Sequence, residues 1–105
     1  MSRIFLVCCL AVSLFTLTAS AGEWTGYISE SHCGAKHMDG SDAAANCVKS
    51  CVRGGAKLAF VTSDKKVVPI ANPTAVKEAQ YGRKVKVTGE LSGDTLTVQT
   101  IEAAS

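Results

Sequence analysis

The sequence predicts a mainly β fold with some helix, a small five-stranded OB-like barrel. Three observations predict it: five segments have the composition of β-strands, a cysteine-bearing helical segment lies between the first and second, and a short helical segment lies between the third and fourth. A five-stranded Greek-key barrel hides most sheet edges in a chain too short for a sandwich. A plain α+β sheet with one helix packed on it is the alternative architecture.

The five predicted strands cover residues 24–29, 57–62, 66–70, 84–91 and 95–101. The fourth alternates most clearly, with apolar or small residues on one side and polar residues on the other. Its inward set is Val85, Val87, Gly89 and Leu91. Short turn sequences follow the second and the fourth strand, so both are expected to lead into hairpins. A glycine inside a strand pattern, as at position 89, indicates a bulge or a sharp bend.

Two helices are expected between the strands. The first is predicted to begin after Ser41, whose hydroxyl suits an N-cap, and to end at Gly54-Gly55. A second, short helix is predicted from Asn72-Pro73 to Tyr81-Gly82. Apolar residues recur at helical spacing in the first helix and form one stripe that is expected to pack on the sheet. That stripe consists of Ala44, Cys47, Val48, Cys51 and Val52.

The N-terminal residues have the order of features found in a cleavable secretion signal. Arg3 supplies the positive start, residues 4–17 are apolar but too short for a comfortable membrane span, and Ala19-Ser20-Ala21 is a small-residue cleavage motif. We therefore expect a signal peptide over residues 1–21 and a single domain over residues 22–105. The protein is predicted to be exported to the periplasm or the extracellular space, without membrane contact after cleavage.

Composition narrows the function classes. The chain has 11 Lys or Arg, of which Arg3 lies in the predicted signal, against 9 Asp or Glu. This near balance lacks the basic stripe of a nucleic-acid-binding domain, so no nucleic acid partner is expected. A domain of this length buries too little surface to be very stable unaided, and it commonly depends on a disulfide or a metal.

Three stretches of the sequence resemble a group of small exported bacterial proteins of unknown function: WTGYISESHCG at residues 24–34, Cys47 and Cys51 before Gly54-Gly55, and residues 85–101. The resemblance covers nearly the whole predicted mature domain. It implies export and an OB-like fold, and it implies no activity. The group often has Asp where Glu30 stands, so Glu30 is assigned no special role.

The candidate chemistry lies within twenty consecutive positions, and the first interpretation is a disulfide staple. Cysteines of exported proteins usually form cross-links. Cys47 and Cys51 lie one helical turn apart with near-parallel side chains, at about 5–6 Å between β-carbons, which is too far for a disulfide. Cys33 is therefore expected to pair with Cys51 or with Cys47. Closing a loop of about 15 residues stabilises the fold by about 3 kcal/mol.

The alternative interpretation is a metal centre that binds Zn²⁺ or Cu⁺. Three thiolates and one imidazole are a suitable tetrahedral ligand set for Zn²⁺, and softer ligands also suit Cu⁺. This alternative accounts for the odd number of cysteines, whereas the disulfide interpretation needs no cofactor. The candidate ligands are Cys33, His37, Cys47 and Cys51, with His32 as a further imidazole.

A thiol redox protein is the third interpretation. Reactive thiolates need a lowered pKa, usually from a helix N-terminus or a neighbouring cation. Cys47 and Cys51 fall in the middle and at the end of their helix, and no Cys-x2-Cys is present, so an enzyme is not favoured. We expect a binding or structural module whose ligand or partner protein the sequence does not identify. A leftover thiol would also allow a disulfide-linked dimer.

Overall fold

The structure, a computed structural model, describes residues 19–36 and 38–104. These residues form one five-stranded antiparallel sheet and one α-helix, which confirms the mainly β prediction. The strands are β1 (Ala19–Glu30), β2 (Leu58–Thr62), β3 (Val67–Pro69), β4 (Lys84–Ser92) and β5 (Thr95–Ala103). The helix, α1 (Asp42–Arg53), lies between β1 and β2 as predicted.

The sheet has the order β3-β2-β1-β4-β5, so the long strand β1 lies at its centre. The C-terminal half of β1 pairs with β2, and nearly its whole length pairs with β4. The outer strands are not joined by a continuous ladder, so the sheet is not a closed barrel. Near its two edges there is one isolated parallel bridge, between Ile70 and Leu96.

β1 starts earlier than the sequence predicts. The expected strand covered residues 24–29, whereas the observed one begins at Ala19 and pairs residues 19–21 with β4. These three residues belong to the predicted signal peptide, whose residues 1–18 lie outside the described part of the chain. The extension consists of small residues, and it pairs with Glu90, Leu91 and Ser92 at the end of β4.

The hairpin of β4 and β5 confirms the most regular sequence pattern. Val85, Val87, Leu96 and Val98 are all buried and face the core. The register shifts between Thr88 and Gly89, as the bulge prediction required. A β-carbon at Gly89 would lie 2.2 Å from the carbonyl oxygen of Thr97, so glycine allows the two backbones to approach.

Local capping and tertiary contacts fix the position of α1. The hydroxyl of Ser41 accepts a hydrogen bond from the backbone N–H of Ala44 at 3.1 Å, and Gly54 follows the helix, as predicted. Ala44 and Val48 are fully buried beneath the helix. Arg83, just before β4, donates to the carbonyl of Gly40 at 2.8 Å and thereby holds the start of the helix against the sheet.

The segment between β3 and β4 differs from the prediction. Instead of one short helix from Asn72-Pro73 to Tyr81-Gly82, it contains two 3₁₀ turns, Pro73–Ala75 and Glu78–Gln80, separated by Val76 in an extended conformation. The Asn72 side chain does not cap a helix. It pairs with the backbone of Val98 in β5, donating to the carbonyl and accepting from the N–H, each at 2.8 Å. This tertiary contact outweighs the local capping preference.

Within residues 19–36 and 38–104, no helix has the length and apolar character needed to span a membrane.

Candidate metal centre

Cys33 is placed by the turn that leaves β1. Its carbonyl accepts the N–H of Lys36 at 3.2 Å, which closes the 3₁₀ turn Gly34–Lys36. Gly34 has a φ of 56°, a left-handed conformation that glycine adopts without strain. The buried hydroxyl of Ser29 donates to the carbonyl of Gly34 at 2.6 Å. The Cys33 side chain is therefore fixed relative to the sheet and is not part of a free loop.

Cys47 and Cys51 project from one face of α1, four residues apart. Val48 lies between them in sequence and is fully buried, so the cysteines flank the surface by which the helix packs on the sheet. All three cysteines are partly exposed, and all three are free thiols. The local sequence thus supplies two ligands on a helix and one on a strand-end turn.

The three sulfur atoms converge. The Sγ atom of Cys33 lies 3.5 Å from that of Cys47 and 3.9 Å from that of Cys51. All three Sγ atoms lie within 4.8 Å of one another, and they form the candidate metal-ligand group found among residues 19–36 and 38–104. The sequence-based expectation that Cys33 lies beside both helical cysteines is therefore met.

These distances match thiolates that share one ion. With metal–sulfur bonds of about 2.3 Å and tetrahedral angles, two sulfurs on one Zn²⁺ lie about 3.8 Å apart. The distances from Cys33 to the two helical sulfurs bracket this value. A disulfide has a sulfur–sulfur bond of about 2.05 Å and occupies only two cysteines. The three sulfurs are therefore close enough to share one metal ion.

No protein-family model, curated protein sequence or solved structure matched this chain.

A buried carboxylate lies beside the sulfurs. Glu30, the last residue of β1, is 0% exposed. Its Oε1 accepts the backbone N–H of Cys33 at 2.9 Å, and its Oε2 accepts that of His32 at 2.5 Å. The carboxylate therefore lies against the backbone of the turn that carries Cys33. Glu30 thus connects the end of the central strand to this turn and so to one of the three candidate ligands.

Charge and burial perturb the ionisable groups of the cluster. Burial opposes ionisation of Glu30, but hydrogen bonds from the Cys33 thiol and from the N–H groups of Cys33 and His32 hold its pKa below the usual range. The hydrogen bond to Glu30, followed by contact with Cys47 and burial, raises the pKa of Cys33 to about 12. Desolvation raises the pKa of Cys51. The Cys33 and Cys51 thiols therefore ionise less readily than free cysteine, which disfavours nucleophilic attack and means that metal binding at these sulfurs must release protons.

The two histidines that the sequence offered as candidate ligands are not part of the three-sulfur group found among the described residues. His32 is exposed and is not a member of the three-sulfur group, although it lines the same surface pocket as Cys51, together with Ser31, Gly54 and Ala56. The predicted ligand His37 lies outside the described residues. Of the four candidate ligands that the structure describes, it therefore brings together three, Cys33, Cys47 and Cys51.

Sequence reasoning missed the part played by Glu30. Its position two and three residues before the N–H groups it accepts was an available signal, because side-chain oxygens commonly bond to backbone groups just ahead of them in turns. The full burial of Glu30 was not visible in the sequence, since it depends on the strands and helix packed around the end of β1.

Proposed function

We propose that this protein is an exported metal-binding protein that holds one thiophilic cation, Zn²⁺ or Cu⁺, at Cys33, Cys47 and Cys51. The observation that carries the proposal is the convergence of three sulfurs at the spacing expected around a single ion. Both ions accept thiolate ligands. Binding rather than catalysis is proposed, because Cys47 and Cys51 lie in the middle and at the end of α1, away from the helix N-terminus that would lower the pKa of a reactive thiol.

The described residues supply three ligands, so the fourth tetrahedral position is left to water, to an external ligand or to the predicted ligand His37, which lies outside the described residues. Sites with three protein ligands commonly complete the shell with water or an external ligand, whereas purely structural zinc sites use four. The partial exposure of all three cysteines and the pocket beside Cys51 support access from solvent. The proposed ion is therefore exchangeable, and it also cross-links α1 to the turn after β1.

The test is an anaerobic titration of the reduced, purified protein with Zn²⁺, followed by elemental analysis. We expect one Zn²⁺ per chain and protection of all three thiols from alkylation. Cys33→Ser, Cys47→Ser and Cys51→Ser should each lower the affinity by at least about 10-fold, whereas Ser50→Ala, on the exposed side of the same helix, should leave it unchanged. Equal Zn²⁺ binding by the serine variants would contradict the proposal.

A disulfide staple is the second candidate function for the same cysteines. It is supported by the position of Cys33 next to both helical sulfurs, with the shorter distance to Cys47. Oxidation would join Cys33 to one of them and leave the other as a free thiol. Mass measurement of the protein from its native compartment distinguishes the two candidates, because the disulfide lowers the mass by two hydrogens and leaves one alkylatable thiol.

We infer that the sheet curls towards an OB-like barrel, with the ends of β3 and β5 facing each other. The parallel bridge of Ile70 with Leu96 and the Asn72–Val98 hydrogen bonds support this closure. An experimental structure in which these two edges are separated would contradict it.

A further inference from the structure

Glu30 carries a fully buried carboxylate that forms no ion pair with any described residue. The four ion pairs formed among the described residues use the carboxylates of Glu23, Asp42 and Glu78 and leave Glu30 out. It accepts hydrogen bonds from the backbone N–H groups of His32 and Cys33, which carry no full positive charge. Buried charges in proteins are normally paired with an opposite charge or lie at a metal ion.

An ion among the three sulfurs would supply that charge. The Glu30 carboxylate accepts the backbone N–H of Cys33 at 2.9 Å, so an ion bound to the Cys33 sulfur would lie close to it. Glu30 is not itself a member of the candidate ligand group, which contains sulfur atoms alone. Its effect on the ion therefore acts through charge and through the turn that it holds.

We propose that Glu30 selects the charge of the bound ion and favours Zn²⁺ over Cu⁺. This inference rests on the proposed metal-binding function. Three thiolates and the Glu30 carboxylate carry four negative charges, of which Zn²⁺ neutralises two and Cu⁺ one. Residual like charges repel more strongly in a poorly solvated site than in water. The extra positive charge of Zn²⁺ therefore increases the binding affinity more beside Glu30 than it would beside a neutral side chain.

The test compares the Zn²⁺ and Cu⁺ affinities of reduced wild type and of Glu30→Gln, each measured by competition with a chelator of known affinity. The glutamine keeps the shape of Glu30 and removes its charge. We expect the Zn²⁺ affinity to fall about 10- to 100-fold, and to fall about 10-fold more than the Cu⁺ affinity. A purely structural role would lower both affinities by the same factor, and that outcome would overturn the proposal.

Glu30→Asp is the matched control, because it keeps the charge and shortens the side chain. We expect it to lower both affinities while keeping their ratio within about threefold of wild type. A ratio that shifts as far as in Glu30→Gln would also overturn the proposal. Wild-type protein that binds neither ion would refute the metal-binding function itself and is distinguishable from both results.

A second pair of variants covers the case in which Glu30→Gln does not fold. Ala56 lines the pocket beside Cys51, so Ala56→Lys introduces a cation near the site without altering Glu30. By compensating the carboxylate, it should shift the affinity ratio towards Cu⁺ by about threefold or more relative to Ala56→Gln, which is long but neutral. Identical ratios in these two variants would contradict an electrostatic basis for selection.

Discussion

The β-sheet and the cysteine insertion, residues 31–57 between β1 and β2, are held in place by different interactions. Most fully buried side chains of the sheet are apolar, including Phe60, Val85 and Val87, whereas Ser29 and Glu30 are polar. The described residues of the insertion add only Ala44 and Val48 to the buried set. It is otherwise fixed by hydrogen bonds, by Arg83 and by the approach of its cysteines to one another.

The sheet is therefore expected to determine the stability of the fold, and the insertion to carry the proposed metal-binding function. Apolar burial stabilises the sheet without any ligand, because removing apolar area from water is favourable whatever the metal content. The described part of the insertion has only two buried apolar side chains, so the proposed ion would contribute a large share of its stability by cross-linking Cys33 to α1. We therefore expect metal removal to loosen the insertion while the sheet remains folded.

The largest effect is expected from a change in the sheet. Phe60→Ala removes the largest fully buried side chain and should lower the free energy of unfolding by about 3–5 kcal/mol, with or without metal. Urea denaturation of the apo and metal-loaded protein measures it. Val67→Ala, at an exposed position of β3, is the control and should cost less than about 0.5 kcal/mol. A small loss of stability in Phe60→Ala would contradict the conclusion that the apolar core of the sheet is the main source of stability.

The second prediction concerns the face by which α1 packs. Val48→Asp places a charge at a fully buried position without a partner, and it should lower the free energy of unfolding by about 3 kcal/mol or more. It should also abolish metal binding, because Cys47 and Cys51 move with the helix. Lys49→Ala, the neighbouring position, loses only an ion pair to Glu78 at 3.4 Å on the surface. Equal tolerance at the two positions would show that the helix packs by another face.

Gly82 connects the two regions directly. A β-carbon there would lie 2.5 Å from the backbone nitrogen of Ala45, so Gly82→Ala should displace α1 from the sheet. Gly93→Ala is the matched control, since both glycines have positive φ but Gly93 has no neighbour within 4 Å. The control should cost about 1–2 kcal/mol from backbone strain. Gly82→Ala should cost about 1–3 kcal/mol more and weaken Zn²⁺ binding. Equal stabilities in thermal unfolding would argue against the close packing.

The smallest effect is expected at the helix cap. Ser41→Ala removes the acceptor for the Ala44 N–H and should lower the free energy of unfolding by about 1 kcal/mol. Ser50→Ala, an exposed position within the same helix, should be nearly neutral or slightly stabilising. Hydrogen exchange of the first turn of α1 measures the change locally. Unchanged protection in Ser41→Ala would mean that the cap contributes little to the helix.

The sheet was predictable because its signals are local. The alternation in β4 and the glycine at its bulge can be recognised from neighbouring residues in the sequence. The same holds for the Ser41 cap and the end of α1 at Gly54. The segment after β3 was not predictable in this way. Asn72 has an ordinary N-cap sequence, but its side chain bonds to Val98, 26 residues further along the chain.

The site was predictable in its ligands but not in its geometry. Spacing identified Cys33, Cys47 and Cys51 as neighbours, and it left a disulfide and a metal centre as alternatives. The choice depends on distances set by the turn after β1 and by the seating of α1 on the sheet. The burial of Glu30 likewise results from packing among strands that lie far apart in sequence.

The central claim is that one ion bridges the turn and the helix through three sulfurs. X-ray absorption at the zinc edge of the Zn²⁺-loaded protein tests it most directly. We predict three sulfur neighbours at about 2.3 Å and one lighter atom at about 2.0–2.1 Å. A first shell of nitrogen and oxygen alone, or one with a single sulfur, would contradict the account.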